Sequence, residues 1–566
     1  MEQTFETYKA ELLSYLKKQK RNEEEDIEAN RRLSPSEKEE LGIRIRNAEV
    51  VEIDRDEYKI HAEVNNSKLR PGDKVTILFG YPIRYINAIV LENFFNELIL
   101  QTSAGFKVGD HFDIEVSEVV MLQSIISLID SIEEGNPGSF FLKELAGIEE
   151  PYEGLGAIPF YKVTTFPESL NPEQFSICED ALQRPTISCV QGPPGTGKTD
   201  VLATIANTFS DQGMEVLILS LTHQAVNNAL NKVKKVSRAN VIKVGQLLKA
   251  EDLSEDIVKI EKYGDYVKSR KENRKSKTHG ADILGMTIHA SIMNLGLKKS
   301  GFNPSIILVD ESSQIPITLA STIGAIGCGS VIFFGDDKQM PPIFHEKLKN
   351  LQLSQSVFSH LCALYPSLKR RLTTTYRMNE EITEVVSRNF YEPFGEKLVA
   401  SEFSRNRRLD YESVHKDLEI RGIFNDAKSI IIRNPTKDNT WEDENPEEAA
   451  FIAKVIEEAL KIGMKLEDLA VITPYRRQVK AIRTCVFERL GTTAVIPIID
   501  TVERLQGQDV DMVIVSLCIS SPAYFIGNQD FLFNKNRLNV MISRAKKKVL
   551  ILGSKIVLDN INLIMP

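Results

Sequence analysis

The chain has 566 residues, 42% hydrophobic and 26% charged, with a net charge of −9. This is the composition of a soluble globular protein of roughly three to four domains, and it excludes a bulk basic nucleic-acid coat while allowing a local basic channel. Six cysteines stand singly, with no C-x-x-C pair; no zinc or iron–sulfur site is expected, and reduced thiols point to the cytoplasm. No signal-peptide pattern and no apolar run of about 18 residues is visible, so no membrane segment is expected.

Residues 4–32 read as a helix, with Tyr8, Leu12, Leu13 and Leu16 on one face and a charged far end. From about 41 the hydrophobic period changes to two. Segments 43–53, 58–64 and 74–79 alternate as half-buried strands, with turns at Pro71-Gly72-Asp73 and Val108-Gly109-Asp110. A small antiparallel barrel or sandwich over 41–117 follows. Residues 117–134 read as a helix (Val120, Leu122, Ile125, Leu128, Ile132) able to pair with the first as a stalk. Residues 135–159 read as loops.

Further on, strands alternate with helices, the mark of a parallel sheet. Strands are expected at 185–190, 215–220, 240–244, 306–309 and 331–334. The interval 246–281, with Lys268, Arg270, Lys271, Arg274, Lys275 and Lys277, reads as a helical insertion. It is either a nucleic-acid contact or a solvated surface. Alternation resumes from 366, with strands at 429–432, 469–472, 495–499, 512–516 and 549–552. The fold class is α/β with two parallel-sheet domains, preceded by a helical stalk and the small barrel.

The sharpest signal is Gly192-Pro193-Pro194-Gly195-Thr196-Gly197-Lys198-Thr199. It fits the phosphate-binding pattern G-x-x-x-x-G-K-[ST] between a strand and a helix. Glycines let the backbone N–H groups converge on a phosphate at a helix N-terminus. Lys198 can neutralise β- and γ-oxygens, and the Thr199 hydroxyl can hold Mg²⁺. Ile306-Ile-Leu-Val-Asp310-Glu311 is an apolar strand ending in two carboxylates. Asp310 is placed to bind Mg²⁺ and Glu311 to activate the attacking water. Gln339, after the next strand, is a candidate γ-phosphate sensor. Arg377 and Arg544 lie in the second parallel-sheet domain, which has no phosphate loop of its own. As finger arginines they would make hydrolysis depend on closure of the cleft.

These segments, in this order, resemble a superfamily 1B helicase of the up-frameshift/senataxin/immunoglobulin-mu-binding type. The resemblance covers about 170–553. Leu170-Asn-Pro-Glu-Gln174 is similar to the Q motif, 219–228 to motif Ia and 281–291 to motif Ic. Thr473-Pro-Tyr-Arg-Arg-Gln478 and 500–509 are similar to motifs IVa and V. The resemblance implies two RecA-like domains clamping ATP·Mg²⁺, with Gln174 reading adenine, Tyr376 stacking on it, and Gly507 and Asp509 also at the nucleotide. Asp509 stands where relatives usually carry the longer glutamate. Single-stranded DNA or RNA would meet Thr222, Thr287, Thr473 and Thr501, with His289 and Tyr475 as stackers.

The layout implied is a stalk helix (1–40), accessory barrel (41–117), returning stalk helix and linker (118–160), first motor domain (161–365, insertion 246–281) and second motor domain (366–566). The implied activity is 5′→3′ helicase or translocase movement, and nothing in the sequence demands more than a monomeric motor. The other class open to the sequence is a nucleic-acid-stimulated ATPase switch that recruits partners with little unwinding. No nuclease signature is seen after the motor; a nuclease or pathway protein is a candidate partner.

Overall fold

The computed structural model describes the chain except residues 1–2, 68, 70–72, 95–96, 117–120, 155–168, 251, 262–263, 267–280, 294–301, 350, 492–494, 503–508 and 565–566. The basic residues 268–277 and Gly507 therefore lie outside the described residues.

Helix α1 (Phe5–Arg32) starts at a capping box in which Thr4 and Thr7 satisfy each other's amides. Its apolar face buries Phe5, Tyr8, Leu12 and Leu16 against Leu122, Ile125 and Ile129 of α3 (Leu122–Asp130) and against the first parallel sheet. The short α2 (Pro35–Glu40) leads into the barrel. On α1, Leu12 is fully buried in the core shared with α3. Leu12→Ala should cost about 2–5 kcal/mol, read as a lower denaturant midpoint of the transition that releases the stalk. A loss below about 1 kcal/mol would mean the helix is not anchored by this face.

The alternating segments close into a six-stranded antiparallel barrel: β1 (Arg44–Asp54), β2 (Glu57–His61), β3 (Lys74–Phe79), β4 (Arg84–Phe94), β5 (Glu97–Gln101) and β6 (His111–Val116), in the order β1-β2-β5-β4-β3-β6. One residue in two points inward, so Val50, Ile60, Val75, Ile77, Val90, Leu98, Leu100 and Ile114 fill the interior.

A helix stands in the stretch expected to be loops. Helix α4 (Pro137–Ala146) begins with proline at its first position and ends at Gly147 with φ 72°. Its Phe141, Leu142 and Leu145 join the α1–α3 core.

The first parallel sheet has eight strands in the order β10-β9-β11-β8-β12-β13-β7-β14. They are β7 (Ile187–Gln191), β8 (Val216–Ser220), β9 (Val241–Val244), β10 (Val258–Ile260), β11 (Ile283–Thr287), β12 (Ile306–Val309), β13 (Val331–Gly335) and β14 (Lys369–Arg371). Helices α5 (Pro172–Leu182), α6 (Lys198–Asp211) and α7 (His223–Val236) cover one face; α1, α3 and α4 pack on the other. Two expectations need correction. The described part of 246–281 holds a 3₁₀ turn (Leu247–Ala250), the edge strand β10, which pairs with β9, and helical residues at 264–266, so the interval is not helical throughout; 267–280 lie outside the described residues. The chain also leaves the first sheet after Arg371 and not at 366, because β14 pairs with β7.

A two-stranded ribbon, β15 (Thr374–Thr375) with β16 (Val399–Ala400), links to a second parallel sheet. Its order is β17-β21-β20-β18-β19: β17 (Ile430–Arg433), β18 (Leu469–Thr473), β19 (Ile498–Thr501), β20 (Val510–Ser516) and β21 (Ala545–Leu552). The protein is thus α/β, with two RecA-like parallel-sheet domains, an N-terminal helical region and a closed antiparallel barrel. No described helix is long and apolar enough to cross a membrane.

Candidate active site

Strand β7 is buried on both faces and delivers the chain into the glycine loop. Gly195 and Gly197 take φ of 74° and 79°, where L side chains are strained. Neither could carry a Cβ. At Gly195 it would stand 2.3 Å from Arg377 Cβ, and at Gly197 2.4 Å from Gln174 Nε2. The loop ends as the N-terminus of α6, which has no side-chain cap, so its first amides face the cleft. Gly195→Ala should raise the KM for ATP about tenfold or more, because left-handed strain of about 1–2 kcal/mol adds to displacement of Arg377. Gly213→Ala, with φ 76° but open space around its Cβ, should leave that KM within about twofold.

Lys198 opens α6. Its Nζ lies 3.6 Å from Asp310 Oδ1 and 3.3 Å from Glu311 Oε1, at the end of β12. Burial works against the ammonium, but Glu311, Asp310 and Asp336 outweigh it and hold Lys198 above the usual lysine value. Burial likewise pushes the Asp310 carboxyl up to about 6, against the pull of Lys198. For Glu311 the pull of Lys198 and Arg544 overcomes burial and keeps its carboxyl below the usual range. Glu311 itself sits at φ 53°, which turns it off the strand.

Gln339 follows β13; its Nε2 donates to Asp336 Oδ2 at 2.7 Å. Gln174 caps α5 with Asn171, and its Nε2 donates to the Thr196 carbonyl at 3.0 Å. Asn171 Nδ2 donates to the Tyr376 hydroxyl at 2.9 Å.

The opposite wall comes from the later half of the chain. The Thr375 hydroxyl donates to the Pro194 carbonyl, and the Tyr376 N–H to the Gly195 carbonyl, both at 2.8 Å. These bonds pin Arg377 beside the glycine loop. Arg544 caps the helix Lys535–Ser543 and is 6% exposed. Burial and the neighbouring Arg377 lower it to about 10. Asp509 lies 4.0 Å from Arg377 Nε and 3.0 Å from Lys546 Nζ. Those cations, against burial, hold its carboxyl below the usual range.

The loop 192–199, Gln174, Asp310, Glu311, Gln339, Tyr376, Arg377, Asp509 and Arg544 all line one cavity of about 1280 Å³. That is roomy for a nucleoside triphosphate by the usual range of ligand pockets. Thr199 and Asp310 offer it hard oxygen donors, the set that suits Mg²⁺. Among the described residues no group of three or more His, Cys, Asp or Glu forms a metal site. Among the lining residues that the sequence did not single out are Arg407 and Lys546. Arg407 donates to the carbonyls of Tyr376 and Arg377 at 3.1 and 2.9 Å, and Lys546 pairs with Asp509. Both lie in runs of basic residues without a motif.

The residues expected at nucleic acid fall at the carboxyl ends of strands in both sheets. Thr287, Thr473 and Thr501 end β11, β18 and β19, and Thr222 follows β8. Thr222 accepts from the Ala225 N–H at 3.2 Å and also borders the cavity. Thr287 accepts from the Ala290 N–H at 3.1 Å. The Thr473 hydroxyl is buried without a partner. His289 is half-buried, which lowers its imidazole below the usual range. Tyr475 departs from the picture of a free stacker: its ring packs 5.4 Å from that of Phe531 and 6.4 Å from that of Tyr524.

Two AAA domain models match the chain, over residues 169–357 and 353–556. The chain is similar to the DNA replication ATP-dependent helicase/nuclease DNA2 of Homo sapiens, at 28% identity over 68% of this chain and 37% of that protein. The Saccharomyces cerevisiae protein of the same name is 26% identical over 68% of this chain and 26% of its own length. The chain thus spans well under half the length of these relatives. Among solved structures, an arterivirus nonstructural protein 10 (helicase) is 12% identical, with a TM-score of 0.41 over 94% of this chain and 82% of that one; the score is too low to bear on mechanism. Over residues 169–556 the chain is thus similar to AAA domains and to the helicase part of these relatives.

Proposed function

We propose that the protein is an ATP-driven motor on single-stranded nucleic acid, of the superfamily 1B branch. The observation that carries this is the composition of the cavity: its phosphate loop belongs to one parallel sheet, and Arg377 and Arg544 reach it from the other. Backbone amides of 195–199 and Lys198 would hold the β- and γ-phosphates. Mg²⁺, held through Thr199 and Asp310, would neutralise charge on those phosphates. Glu311 would take the proton of the attacking water, and Gln339 would orient it against the γ-phosphate. Arg377 and Arg544 would neutralise the charge that develops in transfer, so the rate follows closure of the second domain. Gln174 and Tyr376 stand at the base end, with Asp509 beside Arg377.

The strand would cross the carboxyl ends of both sheets, touching Thr222, Thr287, Thr473 and Thr501, with His289 nearby. Hydroxyls and amides can hold phosphates without a basic coat, which agrees with a net charge of −9. Movement 5′→3′ follows the resemblance; a cytoplasmic location follows the single reduced cysteines, and nothing in the sequence demands more than a monomer. Relatives named as DNA replication helicase/nucleases make DNA the first strand to test. Strand displacement on 5′- and 3′-tailed DNA and RNA duplexes tests this reading. Displacement of the 5′-tailed duplex alone supports it. ATP hydrolysis on strands without displacement of any duplex would instead support the switch.

A further inference from the structure

Behind Gln339, outside the triphosphate cavity, a second set of contacts joins the two halves of the chain. Its centre is Asp336, 1% exposed. Asp336 Oδ2 accepts from Gln339 Nε2 at 2.7 Å and also from the Tyr391 hydroxyl at 2.6 Å. The Lys338 N–H donates to Oδ1 at 3.2 Å. Burial lifts Asp336 to about 6, which leaves it an ionised acceptor at neutral pH. Burial and that carboxylate hold the Tyr391 phenol far above its usual value, so it remains a donor. Hydrogen bonds to an ionised acceptor are about twice as strong as neutral ones.

Tyr391 belongs to the later half of the chain. It ends a π-helical turn, Ser387–Tyr391, that continues the helix Glu380–Val386. Such turns are rare and are frequently found at functional sites. The Tyr391 hydroxyl in turn accepts from Asn539 Nδ2 at 3.1 Å. Asn539 Nδ2 also donates to the Lys338 carbonyl at 2.8 Å. Asn536, three residues earlier on the same helix, donates to the carbonyls of Asp337 (3.2 Å) and Gln339. Residues three apart share a helix face. Three successive carbonyls around the sensor are therefore gripped by the helix that ends at Arg544.

We propose that Tyr391 and Asn536 are positioning residues that set the Gln339 amide, Tyr391 through the Asp336 carboxylate and Asn536 through the sensor backbone, only while the second domain is seated. Neither residue lines the cavity. Gln339 and Arg544 are thereby placed by one rigid element: the helix that delivers the arginine also fixes the glutamine. Without the Tyr391 hydroxyl, Oδ2 loses one of the bonds that fix it as acceptor of the Gln339 amide, while Oδ1 stays held by the Lys338 N–H at 3.2 Å and Gln191 Nε2 at 3.5 Å. The inference rests on the ATPase reading above.

The test is steady-state ATP hydrolysis with saturating oligo-dT for the wild type, Lys198→Ala, Tyr391→Phe, Asn536→Ala, Gln339→Ala and the Tyr391→Phe/Gln339→Ala double variant. Thermal melting is followed in parallel. Tyr391→Phe and Asn536→Ala are each expected to lower kcat about tenfold and leave the KM for ATP within about twofold. The double variant is expected to be no slower than Gln339→Ala alone, because both changes act on one amide. Unchanged kcat with a lower melting temperature would overturn the proposal, as would losses that multiply in the double variant. If Tyr391→Phe does not fold, Asn536→Ala and its combination with Gln339→Ala decide by the same criteria. A wild type no faster than Lys198→Ala would overturn the ATPase reading itself. An active wild type with unaffected positioning variants would overturn only this inference.

Discussion

Arg544→Ala is expected to slow strand-stimulated ATP hydrolysis about a thousandfold or more at saturating ATP. The arginine is buried in the cavity wall, yet burial and Arg377 lower it only to about 10, so it is cationic at neutral pH. It shares the cavity with Arg377, which adds repulsion that a triphosphate would relieve. Its charge counts most where charge builds on the transferring group, which places the loss in kcat. The KM for ATP should move by only a few-fold, since the phosphate loop and Lys198 are untouched. Arg544→Lys should recover little, because an ammonium lacks the planar fork. A variant that raised KM and kept kcat would show that Arg544 only binds nucleotide. Steady-state kinetics with a fixed excess of single strand measures both constants.

Lys198→Ala should act differently, removing nucleotide binding and turnover together. The lysine is the counter-cation of two carboxylates, 3.6 Å from Asp310 and 3.3 Å from Glu311. Deleting one partner of a buried ionic group costs about 3–5 kcal/mol when the other charge stays unpaired. Asp310, already lifted to about 6, offsets part of this by taking up a proton, which spoils it as a Mg²⁺ ligand. The expected result is at least a hundredfold loss of kcat/KM, with weakened binding of a fluorescent ATP analogue in direct titration. Tight analogue binding by the variant would contradict this role. Taken together, the two variants separate holding the phosphates from completing the site.

Much of this was legible in the sequence because the signals were local. Period-two alternation from 43 to 79 becomes barrel strands, since one face of each must fill the interior. The glycine loop was legible because strand, loop and helix follow one another within a short stretch. What escaped depends on contacts distant in sequence. Strand β14 is Lys369-Arg370-Arg371, with no apolar pattern; pairing with β7 and ion pairs from Lys369 and Arg371 to Glu396 define it. Strand β10 is a three-residue edge, too short for periodicity. Helix α4 had both its markers, proline after Asn136 and glycine at 147, but sat in a stretch rich in turn residues. Arg407 acts on backbone carbonyls that no motif predicts, and Tyr391 matters only because the fold carries it to Asp336.

In the proposed function one cavity, completed from both sheets, couples ATP hydrolysis to single-stranded nucleic acid. The most direct measurement is the ATPase rate of the wild-type protein titrated with poly-dT and, separately, poly-U. The rate is expected to rise at least about tenfold and saturate with one or both strands, and to stay near background in Lys198→Ala. A rate that is substantial without any strand and unmoved by either polymer would contradict it.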